Sequence, residues 1–81
     1  MQVTVKFFSF LQNITGRSRM EIDLPAGARL ADLSVSLDRQ FDQLVSVRPQ
    51  IVTLVNHESA LPETVLQDGD DVLLLPFLGG G

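Results

Sequence analysis

The residues with the most distinctive chemistry lie at the end of the chain, where Pro76-Phe77-Leu78-Gly79-Gly80-Gly81 follows a run of apolar residues. Three successive glycines have no side chains to pack and are conformationally expensive to order, which argues against a structural role. A frayed end or a cloning remnant would also be glycine-rich. A remnant, however, usually extends beyond a domain, and these glycines begin only three residues after the last apolar run. Fully extended, residues 78–81 reach at most about 13–14 Å, enough to thread a narrow channel and present the carboxylate of Gly81 inside a partner. A carboxylate is a poor electrophile until one oxygen becomes a leaving group. Adenylation by ATP supplies that group, and a sulfur donor can then displace AMP to leave a thiocarboxylate. Glycine lets a tunnel close around bare backbone and admits backbone angles forbidden to other residues. Gly79, Gly80 and Gly81 are therefore the candidate reactive residues.

Other arrangements carry less. Asp68-Gly69-Asp70-Asp71 lacks the remaining ligand spacing of a calcium loop and reads as an acidic turn, so no metal site is expected. His57 is the one histidine, beside a turn signal, and reads as a surface residue rather than a ligand or base. Nothing fixes Glu58 and Glu63 as a carboxylate pair. The glycines at 79–81 precede no helix that would make them a phosphate loop. With no cysteine in the chain, a thiolate nucleophile, a cysteine-based zinc site and a disulfide framework are all excluded. No free-standing catalysis is expected.

The elements that must position the tail follow from periodicity. Val3, Val5 and Phe7 alternate with Gln2, Thr4 and Lys6, a half-buried strand. Ser9 to Gln12 has capping-box spacing and Gly16 sits where a short helix would stop, which predicts one or two helical turns over 9–15. Met20, Ile22 and Leu24 alternate with charged residues in a second strand, ended by Pro25-Ala26-Gly27. Leu30, Leu33, Leu37, Phe41 and Leu44 then recur at steps of three and four, one face of a long helix. Asp32 falls in its first turn, where a negative charge suits the helix dipole, and Gly27 is the fairest cap available. Pro49 closes that segment. Ile51–Val55 is β-branched and strand-like, Asn56-His57 begins a turn, and 58–67 reads as irregular with a short strand near Thr64-Val65. Asp68-Gly69 is a turn signal, and Val72–Leu75 a final strand halted by Pro76.

The order predicts an α+β domain with one long helix on one mixed sheet of four to five strands. The final strand is apolar at every position and is expected to be central and covered on both faces. One helix covers only one face, so if Val72 and Leu74 meet it, Leu73, Leu75 and Phe77 point to the other side, as does Phe8 relative to Val3, Val5 and Phe7. An apolar patch on an open sheet usually marks a protein partner; the alternative is that the segment 58–67 folds over it.

Eighty-one residues make one domain. Apolar residues are 44% of the chain and charged ones 20%, which fits a globular protein rather than a disordered one. The formal charge is −4 with Lys6 the sole lysine, and the five arginines are scattered among acidic residues. That balance is wrong for nucleic acid, and no run is long enough to span a membrane. A small domain without disulfides reads as cytoplasmic.

Taken together, Val3-Thr4-Val5-Lys6-Phe7-Phe8-Ser9-Phe10-Leu11, Gly16, Asn56, Leu66-Gln67-Asp68-Gly69-Asp70-Asp71-Val72, Pro76 and the terminal Gly80-Gly81 resemble the MoaD/ThiS superfamily of ubiquitin-like sulfur carriers, most closely its molybdopterin synthase small subunits. The resemblance runs along essentially the whole chain and implies a β-grasp (ubiquitin-like) domain over 1–77 with a flexible glycine tail at 78–81. It implies that Gly81 is adenylated by an E1-like enzyme of the MoeB type, using ATP and Mg with no tightly bound cofactor of its own, and is then thiolated by a sulfur donor. The tail would next enter a MoaE-type large subunit and deliver sulfur in molybdopterin biosynthesis. The chain would thus be a co-substrate rather than a catalyst, with Phe8 and Leu75 at family positions that meet the large subunit; Leu73, Phe77 and Leu78 complete the expected partner interface. Three positions depart from the pattern: Phe77 where a second proline is common, Gly79 where Ala, Ser or Thr is usual, and Arg29 at the usual capping threonine. They leave open carriers for thiamin, cysteine, tungstopterin or tRNA thiolation; a protein modifier is a separate alternative, because an amine can attack the same activated glycine.

Overall fold

The computed structural model describes residues 1–77. Alternation puts Val3, Val5 and Phe7 of β1 (Gln2–Phe7) into the core while Thr4 and Lys6 face the other way. Its antiparallel neighbour β2 (Arg19–Asp23) pairs Val3 with Ile22 and Val5 with Met20, so the apolar faces of both strands coincide. Between them the chain makes one short helix, α1 (Leu11–Thr15), which ends on Gly16 at φ 75°, a left-handed value that glycine adopts without strain. The expected capping box at Ser9 does not form. Phe8, just past the end of β1, stays tied to the sheet by donating its N–H to the Leu74 carbonyl at 3.2 Å. Ser9 then turns the chain at φ 57°, and the Gln12 side chain donates to the Phe7 carbonyl instead.

The long helix expected over 30–44 is broken. It comprises α2 (Leu30–Gln40) and a single turn, α3 (Gln43–Val47), separated by Phe41 at φ −134°, ψ 82°. A straight helix over 30–47 would run about 27 Å, whereas a six-residue strand beneath it spans about 20 Å. The break lets Phe41 pack edge-on against Phe7, with ring centroids 6.1 Å apart, while Leu44 stays fully buried. Gly27 is not the cap of α2. Arg29 is, and its side chain has no acceptor to offer, so Asp32 accepts the Arg29 backbone N–H at 2.8 Å. The N–H groups of Leu30 and Ala31 are taken by the carbonyls of Thr64 and Pro62, both at 2.9 Å. The predicted strand near Thr64-Val65 reduces to one isolated bridge between Val65 and Arg29, because that segment closes the helix start rather than joining the sheet.

After a 3-10 turn at Arg48–Gln50, β3 (Ile51–Val55) turns back through Asn56-His57 into a two-residue strand, β4 (Glu58–Ser59). Both turn residues have positive φ, 52° and 70°, as a two-residue type I′ hairpin requires. The last strand, β5 (Asp71–Pro76), lies at the centre of the sheet order β2-β1-β5-β3-β4, parallel to β1 and antiparallel to β3. Val72 and Leu74 join the core under α2. Among the described residues no helix is long and apolar enough to cross a membrane.

The start of β5 is tied to the end of β3 by polar groups. The Asn56 side chain donates to a carboxylate oxygen of buried Asp70 at 2.9 Å and accepts the Asp71 backbone N–H at 3.0 Å. Asn56→Ala removes both bonds and replaces a side chain that tolerates the left-handed region with one less tolerant of φ 52°. Its expected cost is about 2–3 kcal/mol, a fall in Tm on the order of 10 °C for a domain this size. Thermal melts of Asn56→Ala beside Asn56→Gly test this, since glycine keeps the turn and should lose less.

Candidate functional site

The face of the sheet opposite the helices is set by register. Leu73 of β5 stands between Lys6 of β1 and Leu54 of β3, and Leu75 stands opposite Val52. Directly opposed residues share a face, so Lys6, Leu73, Leu54, Leu75 and Val52 lie together, with Phe8 continuing the parity of Lys6. Phe8 is 36% exposed and Phe77 65%, while Val52, Leu54 and Leu75 are half-buried. Leu73 is only 7% exposed although it stands outside the core cluster: its strand neighbours already cover it. It therefore supports the patch more than it presents surface. Val52 and Leu54 belong to this face as well, beyond the residues that strand parity in β5 singles out. Apolar residues at both parities of β3 were the available signal, the same one that marked β5 as central.

The segment 58–67 does not fold over this face. Ala60 packs against the core, and the backbone of residues 62–66 bonds to Ala28, Leu30 and Ala31 at the start of α2. The apolar area is bordered by ions. Lys6 Nζ lies 3.9 Å from a carboxylate oxygen of Asp71, and Arg19 lies 3.8 Å from Glu21. Pairs this exposed contribute little to stability but define a polar margin.

The acidic turn has structural work. Asp68 accepts the Gln2 N–H and Asp70 the Gln67 N–H, each at 2.8 Å. His57 is an exposed turn residue. Among the described residues no three His, Cys, Asp or Glu side chains gather to hold a metal.

Strand β5 thus runs through the centre of the sheet and ends at Pro76 beside the patch, with Phe77 the last described residue. Leu78, Gly79, Gly80 and Gly81, which carry the expected chemistry, lie outside the described residues.

A family model described as the ThiS family matches residues 5–81. The Molybdopterin synthase sulfur carrier subunit of Chlamydomonas reinhardtii is 31% identical over 83 residues, covering 100% of both chains. Among solved structures, the putative molybdopterin converting factor, subunit 1, from Pyrococcus furiosus superposes with a TM-score of 0.89 at 26% identity, over 94% of this chain and 97% of that one. A chain in the protein-protein complex of subunits 1 and 2 of Molybdopterin-converting factor from Helicobacter pylori gives a TM-score of 0.74 at 26% identity over 100% of both.

Proposed function

Because the chain belongs to the ThiS family, whose β-grasp fold its mixed sheet and packed helices reproduce, we propose that it is the sulfur carrier of molybdopterin biosynthesis, working through the carboxylate of Gly81. In this reading the carboxylate attacks the α-phosphate of ATP on an E1-like enzyme of the MoeB type, with Mg bound there and pyrophosphate leaving. A sulfur donor then attacks the carbonyl carbon, AMP departs, and a thiocarboxylate remains. In the active site of the large subunit of molybdopterin synthase a pterin precursor accepts that sulfur, water supplies the oxygen that replaces it on the carbonyl carbon, and the carrier returns to a carboxylate. The chain performs no catalysis alone, holds no cofactor of its own, and acts in the cytoplasm.

The observation that carries this reading is the path of β5. A buried central strand runs out at Pro76 beside an uncovered apolar face, and the next residues in sequence are Phe77, Leu78 and three glycines. The domain can dock through Phe8, Leu75 and Phe77 while the residues beyond them reach into the partner. The relative from Chlamydomonas reinhardtii, matched end to end, and the two-subunit complex from Helicobacter pylori support both the pathway and a MoaE-type partner.

Activation tests it. Incubated with the E1-like enzyme of its host and Mg-ATP, the chain is expected to gain the mass of AMP at Gly81. With a sulfur donor present, the intact mass should then show one oxygen exchanged for sulfur. A chain that no E1-like enzyme of the host adenylates is not a carrier of this kind.

A further inference from the structure

We propose that Lys6 is an acyl-acceptor site whose modification switches the docking face off. The proposal rests on the docking reading above. Lys6 is the only lysine in the chain, and the other five cationic side chains are arginines, whose guanidinium stays protonated and does not act as an acyl acceptor. Side-chain amine chemistry therefore has one address. That address is on the open face: Lys6 stands level with Arg19 of β2 and Leu73 of β5, two residues before Phe8. Its side chain is 38% exposed, and its ion pair with Asp71, 3.9 Å long and itself exposed, does not withdraw the amine from solvent.

The reaction class is attack of the ε-amine on an activated carboxyl, such as an acyl adenylate or a thioester; the adenylated Gly81 of a second copy belongs to the same class. The ammonium first gives a proton to solvent, the nitrogen then bonds to the carbonyl carbon, the bond to AMP or thiolate breaks, and the nitrogen loses its second proton. The product has lost the positive charge, so Asp71 is left unpaired on a surface the partner must desolvate. The new amide also stands beside Leu73 and Phe8, where the partner would sit. An acylated copy therefore keeps its fold but leaves the carrier cycle.

The test uses the succinimidyl ester of biotin on the purified chain, whose primary amines are Lys6 and the Met1 amine bonded to the Leu24 carbonyl. The singly modified species are separated by mass, and binding to the large subunit of the host's molybdopterin synthase is measured by calorimetry. Protein modified at Lys6 is expected to bind about tenfold more weakly or worse, as when one member of an interfacial charge pair is removed. Protein modified at Met1 alone should match untreated protein, and the affinity of Lys6→Arg should not change on treatment. Equal binding by the Lys6-modified form, with circular dichroism unaltered, overturns the proposal and leaves the docking reading standing. Failure of Lys6 to react in the folded chain overturns it as well. If untreated protein does not bind the large subunit, the docking reading falls and this one with it.

Discussion

Gly80→Val is expected to leave thermal stability unchanged and to abolish sulfur transfer. Glycine has no side chain whose packing could be lost, and substitutions away from buried features usually stay within about ±0.5 kcal/mol. Transfer is lost for two separate reasons. A β-branched side chain does not pass a channel shaped for bare backbone, and it forbids positive-φ conformations open to glycine. Deleting Gly81 tests reach instead of width, since it withdraws the carboxylate by roughly 3.3–3.6 Å. Misplacing a reacting group by about 1 Å can already cost on the order of a hundredfold in rate. One alanine added after Gly81 should fail by the opposite displacement. The deciding comparison is the melting temperature of all three variants beside their sulfur transfer to the large subunit. Normal transfer in all three would make the glycines ornament and the chain a binding module.

These expectations rest on features unevenly legible in the sequence. The strands were plain because a period of two is a local signal: Val3, Val5 and Phe7, then Met20, Ile22 and Leu24, name their buried faces unaided. Apolar residues at both parities of β5 marked it as central, and the sheet order agrees. The helix break was invisible for a physical reason. Spacing at three and four reports which residues are buried, and Leu44 is buried whether the chain reaches it by a continuous helix or by a separate turn. Ser9 carried the right spacing for a cap, yet Phe8 remains tied to Leu74 of β5, and that distant bond decides the local backbone. The closing of α2 by the carbonyls of Pro62 and Thr64 has no side-chain signature at all. For the candidate site, parity within β5 gave the open face, but the burial of Leu73 and the share of Val52 and Leu54 needed the register of the neighbouring strands. The assignment of Gly79, Gly80 and Gly81 as reactive residues rests on their chemistry and on the relatives the chain matches, since they lie outside the described residues.

Two adjacent leucines separate fold from docking. Leu74 and Leu75 are neighbours on the central strand, so their side chains leave opposite faces of the sheet. Leu74 is buried in the core cluster, whereas Leu75 is half-buried on the open face opposite Val52. Leu74→Glu forces a carboxyl group without a partner into that core, at a cost of about 4 kcal/mol or more, a large share of the roughly 5–15 kcal/mol that holds a domain together. Leu75→Glu leaves the core intact and puts a charge where the large subunit is to seat. Its fold should survive while binding weakens by about 2 kcal/mol or more, roughly thirtyfold in Kd. Phe8→Glu, at the edge of the same patch, should behave like Leu75→Glu. Denaturant melts read the first effect and titration calorimetry against the large subunit the second. If Leu75→Glu unfolds while binding per folded molecule is unchanged, the open face is a second core surface rather than an interface. If it binds normally and stays folded, the carrier docks elsewhere and only the tail enters the partner.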